Sequence, residues 1–122
     1  MLFRIDPQSS LSLSDQVAAS VRRALADGSA APGERLPAAR DLARSLDINL
    51  HTVLRGYQKL RDEGLLELRR GRGAVISDRA DPGRGRLVQR VHDLAAEARA
   101  IGLSDDELLT LIRTTLNPGT TS

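Results

Sequence analysis

Mainly α-helix with one small β-hairpin is the fold class this sequence predicts, and three observations predict it. Phe3 and Tyr57 are the only aromatic side chains in 122 residues. The core therefore falls to Leu, Val, Ile and Ala, which favours helices packed on helices. Apolar residues also recur at helical spacing in blocks separated by turn signals. Finally, Leu65-Leu66-Glu67-Leu68, Arg70-Gly71-Arg72-Gly73 and Ala74-Val75-Ile76 read as strand, tight turn and returning strand. The two glycines suit the positive backbone angles of such a turn. Together these predict a winged helix-turn-helix over residues 1–78, a linker over 79–86, a two-helix C-terminal dimerisation region over 87–116 and a disordered tail over 117–122.

The elements follow in order. Met1 to Asp6 reads as a short strand or an ordered arm. The first helix is expected from about Ser12 to Asp27, opened by Ser12 with Asp15 and closed by Gly28. Leu13, Val17, Val21, Ala24 and Leu25 form its apolar stripe, and Arg22 and Arg23 face away, which predicts solvated side chains. After the Ala31-Pro32-Gly33 turn, Pro37 suits the first turn of a helix over about Ala38–Leu46. Leu42, Ala43 and Leu46 point inward, with Arg40 and Arg44 on the other side. Asp47-Ile48-Asn49 is the turn, and Ile48 plugs between helices. Asn49 caps a third helix to about Glu63. Val53, Tyr57 and Leu60 face inward, Gly56 admits a neighbouring backbone, and Lys59 and Arg61 are expected to be solvated. A lone ribbon is barely stable, so Leu66, Leu68 and Val75 are expected to pack the hairpin on the helices. A fourth helix is expected over about Arg86–Ala100, with Leu87, Val91, Leu94, Ala98 and Ile101 at the alternating steps of a helix seam. Ser104 with Glu107 opens a fifth helix to about Leu116, carrying Leu108, Leu109, Leu111, Ile112 and Leu116.

Composition narrows the function. There are no cysteines, which excludes disulfides and thiolate metal sites. No apolar run spans a bilayer and none resembles a signal peptide, so a cytoplasmic place without membrane contact is expected. The net charge is only +2. It is unevenly spread: residues up to Arg79 carry 13 basic against 10 acidic side chains, hence +3, and the rest carry 5 against 6, hence −1. Arg69, Arg70 and Arg72 are the densest basic cluster. His51 and His92 are the only histidines, with no acid–base pair, phosphate loop or metal cluster beside them, so neither an enzyme nor a cofactor is expected.

The third helix has the residue types for a DNA major groove. A recognition helix needs short polar groups at its leading end and an apolar back face. Asn49 and His51 suit a base edge, Thr52 a phosphate or a thymine methyl, Leu50 a thymine methyl, and Arg55 a phosphate or base. Structural alternatives stand beside these roles: Asn49 as a cap only, His51 as an exposed helix residue, Arg40 as partner to an acid.

At this point the chain resembles the GntR family of bacterial transcription regulators. The resemblance is carried by Asp15-Gln16 with Val17 and Val21, by Pro32-Gly33-Glu34-Arg35-Leu36-Pro37, and by Arg40-Asp41-Leu42-Ala43. It continues through Asn49, Thr52-Val53, Arg55-Gly56-Tyr57, Leu60, Glu63-Gly64-Leu65-Leu66 and Arg70-Gly71-Arg72-Gly73. The resemblance implies phosphate contact at Arg40, base reading over Asn49, Leu50, His51 and Thr52, and minor-groove entry by Arg70, Gly71 and Arg72. Well-known members carry arginine where this chain has Leu50 and Leu54, so those two roles do not transfer. The short tail is similar to the YtrA-like branch, which implies dimerisation through Leu87, Val91, Leu94, Ala98, Ile101, Leu108, Leu111 and Ile112. The expected function is a homodimeric repressor on a near-palindromic double-stranded DNA operator. Two alternatives stay open: a version gated by a small-molecule effector between the C-terminal helices, and a winged-helix module that binds protein.

Overall fold

The computed structural model describes residues 2–121. Its elements are α1 (Leu13–Ala26), α2 (Ala39–Leu46), α3 (Leu50–Asp62), β1 (Leu66–Arg69), β2 (Gly73–Ile76), α4 (Pro82–Ala100), α5 (Asp105–Leu116) and a closing 3-10 turn over Pro118–Thr121. Disorder was expected over 117–122; that turn occupies most of it, and Ser122 lies outside the described residues. The chain divides into two units, Met1–Gln89 and Arg90–Ser122.

In the first unit α1 is the most buried helix, and α3 packs against it, against α2 and against β1. Ser12 caps it through an oxygen that accepts from the Asp15 N–H, satisfying one of the free donors at a helix start. Val17, Val21, Ala24 and Leu25 are buried, as the spacing predicts. They meet Val53, Tyr57 and Leu60 of α3, and Leu42 and Ala43 of α2 complete the core. Gly56 admits a close approach of α1 to α3: a side-chain carbon there would lie 2.9 Å from the Ser14 carbonyl oxygen and 3.0 Å from Val17. Ile48 packs partly buried on this core, as expected. Met1 lies outside the described residues, and Leu2 to Asp6 form an ordered arm rather than a strand. Gln16 holds it, accepting from the Asp6 N–H at 2.6 Å and donating to the Asp6 and Leu11 carbonyls.

Several expectations are corrected. Arg22 is not solvated. Its side chain is 3% exposed and pairs with Glu63, Nε to Oε1 at 2.9 Å and Nη2 to Oε2 at 3.0 Å. The partner is 41 positions away in sequence, so local periodicity could not place it. Lys59 is likewise not free: its ammonium donates to Asp15 and Ser14 of α1. Pro37 precedes the α2 cap residue Ala38 and lies outside the helix. Its carbonyl accepts from the Tyr57 hydroxyl at 2.7 Å, and burial pushes the Tyr57 phenol above its ordinary range.

The hairpin pairs Leu66 with Ile76, Glu67 with Val75, Leu68 with Ala74 and Arg69 with Gly73. It is not a lone ribbon. Arg35 bridges to Val75, and the Gly33 and Leu36 N–H groups donate to the Ile76 and Ala74 carbonyls at 2.8 and 2.9 Å. This third extended segment covers the free edge of β2, the usual weakness of a two-stranded sheet. Leu66 and Val75 are buried as expected, but Leu68 is 58% exposed, because it lies toward the tip; Leu65 takes the core position.

The expected linker over 79–86 is also shorter than predicted. Asp81 accepts from the Arg84 N–H at 2.8 Å, and Pro82 stands first in α4. This is an Asp cap followed by a proline whose missing donor costs nothing there. The glycines that suggested a linker serve packing instead: a side-chain carbon at Gly85 would lie 2.8 Å from Leu25 Cβ. Arg84 and Arg86 donate to the Glu63 and Ala26 carbonyls at the ends of α3 and α1, where a cation is favoured.

In the second unit α4 closes at Gly102, whose φ is +79°, with the Leu103 N–H reaching back to the Ala98 carbonyl at 2.9 Å. The Ser104–Glu107 capping box is present in both directions, and its hydrogen bonds hold the Glu107 carboxyl below the usual range. Ala98 is buried, but Val91, Leu94, Ile101, Leu109, Leu111 and Leu116 are exposed. Among the described residues, no helix is long and apolar enough to cross a membrane.

Candidate nucleic-acid interface

The turn between α2 and α3 is set by Asp47, the one non-glycine residue with positive φ among those described, at +56°. A short Asx side chain tolerates that conformation better than most. The Ile48 N–H then closes back on the Ala43 carbonyl at 3.0 Å. Asn49 follows as the cap of α3, its Oδ1 accepting from the His51 N–H at 2.7 Å. That oxygen is committed, which leaves the Asn49 amide NH2 as the group free to meet a ligand.

Beyond the cap, α3 divides into two faces. Val53, Gly56, Tyr57 and Leu60 are buried, whereas His51, Leu54, Arg55 and Gln58 are exposed. Thr52 is half-buried in the first turn. Leu50 is half-buried and packs against the core, so less of it projects outward than the sequence reading expects. Leu54 and Gln58 were not among the expected contacts. The spacing of 51, 54, 55 and 58 along one helix is the signal that could have found them.

Three cations of this unit contrast with four others. Arg22, Lys59 and Arg69 are tied to carboxylates. Arg69 donates to Glu67 at 2.7 Å and to Asp78 at 3.2 Å, and the Glu67 contact raises its pKa further. It therefore leaves the basic cluster that the sequence suggested and anchors the base of the wing. Arg40, Arg55, Arg70 and Arg72 are all exposed. Among the described residues, none of these four has a carboxylate within ion-pair distance. Arg40 stands on α2 one turn from Arg44, which makes a loose 4.0 Å pair with Asp41. Arg70 and Arg72 flank Gly71 at the wing tip, where φ is +80° and the Arg72 N–H closes the turn on the Arg69 carbonyl. These residues and the α3 face share the first unit, whereas Val91, Leu94, Ala98, Ile101, Leu108, Leu111 and Ile112 lie in the second.

An ordered helix-turn-helix, an outward polar helix face and a hairpin tipped with unpaired arginines define a winged helix-turn-helix protein. Comparison with known proteins gives the family. The model of the bacterial regulatory proteins of the gntR family matches residues 13–76. The transcriptional repressor YtrA of Bacillus subtilis is 37% identical over 79 residues, covering 65% of this chain and 61% of that protein. The transcriptional regulator Rv1152 of Mycobacterium tuberculosis is 33% identical over 106 residues, covering 87% of each. Among solved structures, YtrA from Sulfolobus acidocaldarius, a GntR-family transcription factor, superposes with a TM-score of 0.62 at 31% identity, over 80% of this chain and 99% of that one. The chain belongs to the GntR family and is a DNA-binding transcription regulator.

Proposed function

We propose that the chain is a homodimeric repressor that reads a near-palindromic operator, with α3 in the major groove and the wing tip in the adjacent minor groove. The observation that carries this is the division of the cations. Arg22, Lys59 and Arg69 are neutralised by carboxylates, whereas Arg40 on α2, Arg55 on the outer face of α3, and Arg70 and Arg72 at the wing tip are not. Free guanidinium groups on one unit are what a phosphate backbone requires. On this reading Arg40 holds phosphate, and Asn49, Leu50, His51 and Thr52 meet base edges. Arg55 takes a phosphate or base, and Arg70, Gly71 and Arg72 line the minor groove. The exposed seam of Leu87, Val91, Leu94 and Ile101, with the buried Ala98 between the last two, pairs two copies, joined by Leu108, Leu111 and Ile112 of α5. A two-fold pair places two recognition helices about one DNA turn apart, roughly 34 Å.

Binding titrations over a range of salt test the assignment. His51→Ala is expected to change base preference, by about 1–3 kcal/mol for a lost bidentate contact. An equal loss on every sequence would remove His51 from base reading.

A second reading has one observation in its favour. An open groove of about 400 Å³ lies along α5, lined by Leu103, Asp106, Glu107, Thr110 and Leu111, within the size range of small-molecule sites. It supports an effector-gated version. Operator affinity measured with and without a cell extract separates the two.

A further inference from the structure

Leu54 is the residue of α3 that the fold does not explain. It is 45% exposed and stands among His51, Arg55 and Gln58, all on the outer side of the helix. A leucine exposed at a surface is ordinary, so exposure by itself says nothing. Its position says more. Leu54 lies one turn on from Leu50, which is half-buried against the core. Residues four apart are neighbours on a helix surface. The two leucines therefore make a narrow apolar strip that runs from the edge of the core out into the polar face.

The major groove presents donors and acceptors at every base pair but one kind of apolar group, the thymine C5-methyl. A leucine has no hydrogen bond to offer. Set against a donor or acceptor, it would strip water from that group and leave it unpaired, which is costly. Set against a methyl, it removes apolar surface from water on both sides. We propose that Leu54 is a specificity-determining residue that selects thymine, through its methyl group, at one position of each half-site. The proposal rests on the placing of α3 in the major groove and adds the base and the contact.

Selection of bound duplexes from random DNA by the full chain supplies the site. Each thymine is then replaced singly by deoxyuridine, which removes only the methyl, and affinities are measured for the wild type and for Leu54→Ala. At one position per half-site, deoxyuridine should weaken the wild type about fourfold, the value of one buried methyl. It should leave Leu54→Ala unchanged at that position. Alanine is a good helix former, and circular dichroism checks that the variant is folded. Equal deoxyuridine losses in both proteins, or none in either, overturn the role of Leu54 while leaving DNA reading intact. A selection that enriches no sequence removes the DNA reading itself, and this proposal with it.

Discussion

In the first unit Leu25, Leu60, Leu65 and Ile76 are withdrawn from solvent; in the second, Leu94, Ile101, Leu111 and Leu116 are exposed, Ile101 at 77%. The side chains are of the same kinds. The difference lies in what each unit has to cover them. The first brings together three helices, a hairpin, an ordered arm and the first turns of α4, and its buried cation has a carboxylate partner. The second has the rest of α4, α5 and the closing turn. A helix apolar on one side must bury that side against something. The contrast therefore separates a unit stabilised within one chain from a unit that, on the reading proposed above, is completed by a second copy.

The largest effect expected is on the first unit. Glu63→Ala leaves Arg22 buried without its partner and should lower unfolding stability by about 3–5 kcal/mol in urea titration, leaving self-association through the tail unaltered. An unchanged midpoint would mean that the pair carries none of the first unit's stability. Leu94→Asp reverses the pattern. It puts a charge on the seam and should weaken self-association on the order of a hundredfold in sedimentation equilibrium, with the first unit's unfolding unaffected.

Gly56→Ala gives a smaller loss whose sign is informative. In an open helix the change would stabilise by roughly 1 kcal/mol. Here the close Ser14 carbonyl should turn it into a loss of about 1–3 kcal/mol. Arg40→Ala should leave stability alone, weaken all DNA sequences about equally and flatten the salt dependence by about one unit; a change of base preference would contradict its phosphate role.

The smallest effect is one of pH. Burial pushes the Asp15 carboxyl up, but the ion pair with Lys59 and the Ser12 hydrogen bond outweigh it, leaving the pKa below its ordinary 3.8. A carboxyl depressed by folding stabilises above its unfolded pKa, and that contribution is lost as pH falls through the folded value. Asp15→Asn should therefore cost stability at pH 7, under about 1 kcal/mol for so exposed a pair, and little near pH 2. An equal cost at both values would argue against the ion pair.

Much of this fold was legible because its helices carry local signals. Ser12, Asn49 and Ser104 each mark a helix start within their own few residues, and each caps the helix expected. The turn, the inward face of α3 and the close approach at Gly56 follow from spacing alone. What was not legible depends on contacts distant in sequence. Arg22 resembles any outward arginine until Glu63 is known to meet it. The strand-like pairing of residues 33–36 needs β2, some forty positions later, to be visible. At α4 the signals conflicted, and the Asp81–Pro82 start prevailed over the glycines because Gly85 is needed against Leu25. In the candidate interface the outward residues of α3 could be read from the helical period. The loss of Arg69 to Glu67 and Asp78 could not.

The central claim joins the two units: the first reads DNA and the second pairs two copies so that two sites are read at once. The symmetry of DNA selected by the full chain tests it most directly. The account predicts two inverted half-sites with centres about one helical turn apart, bound by two copies of the chain. Enrichment of a single half-site occupied by one copy would contradict it.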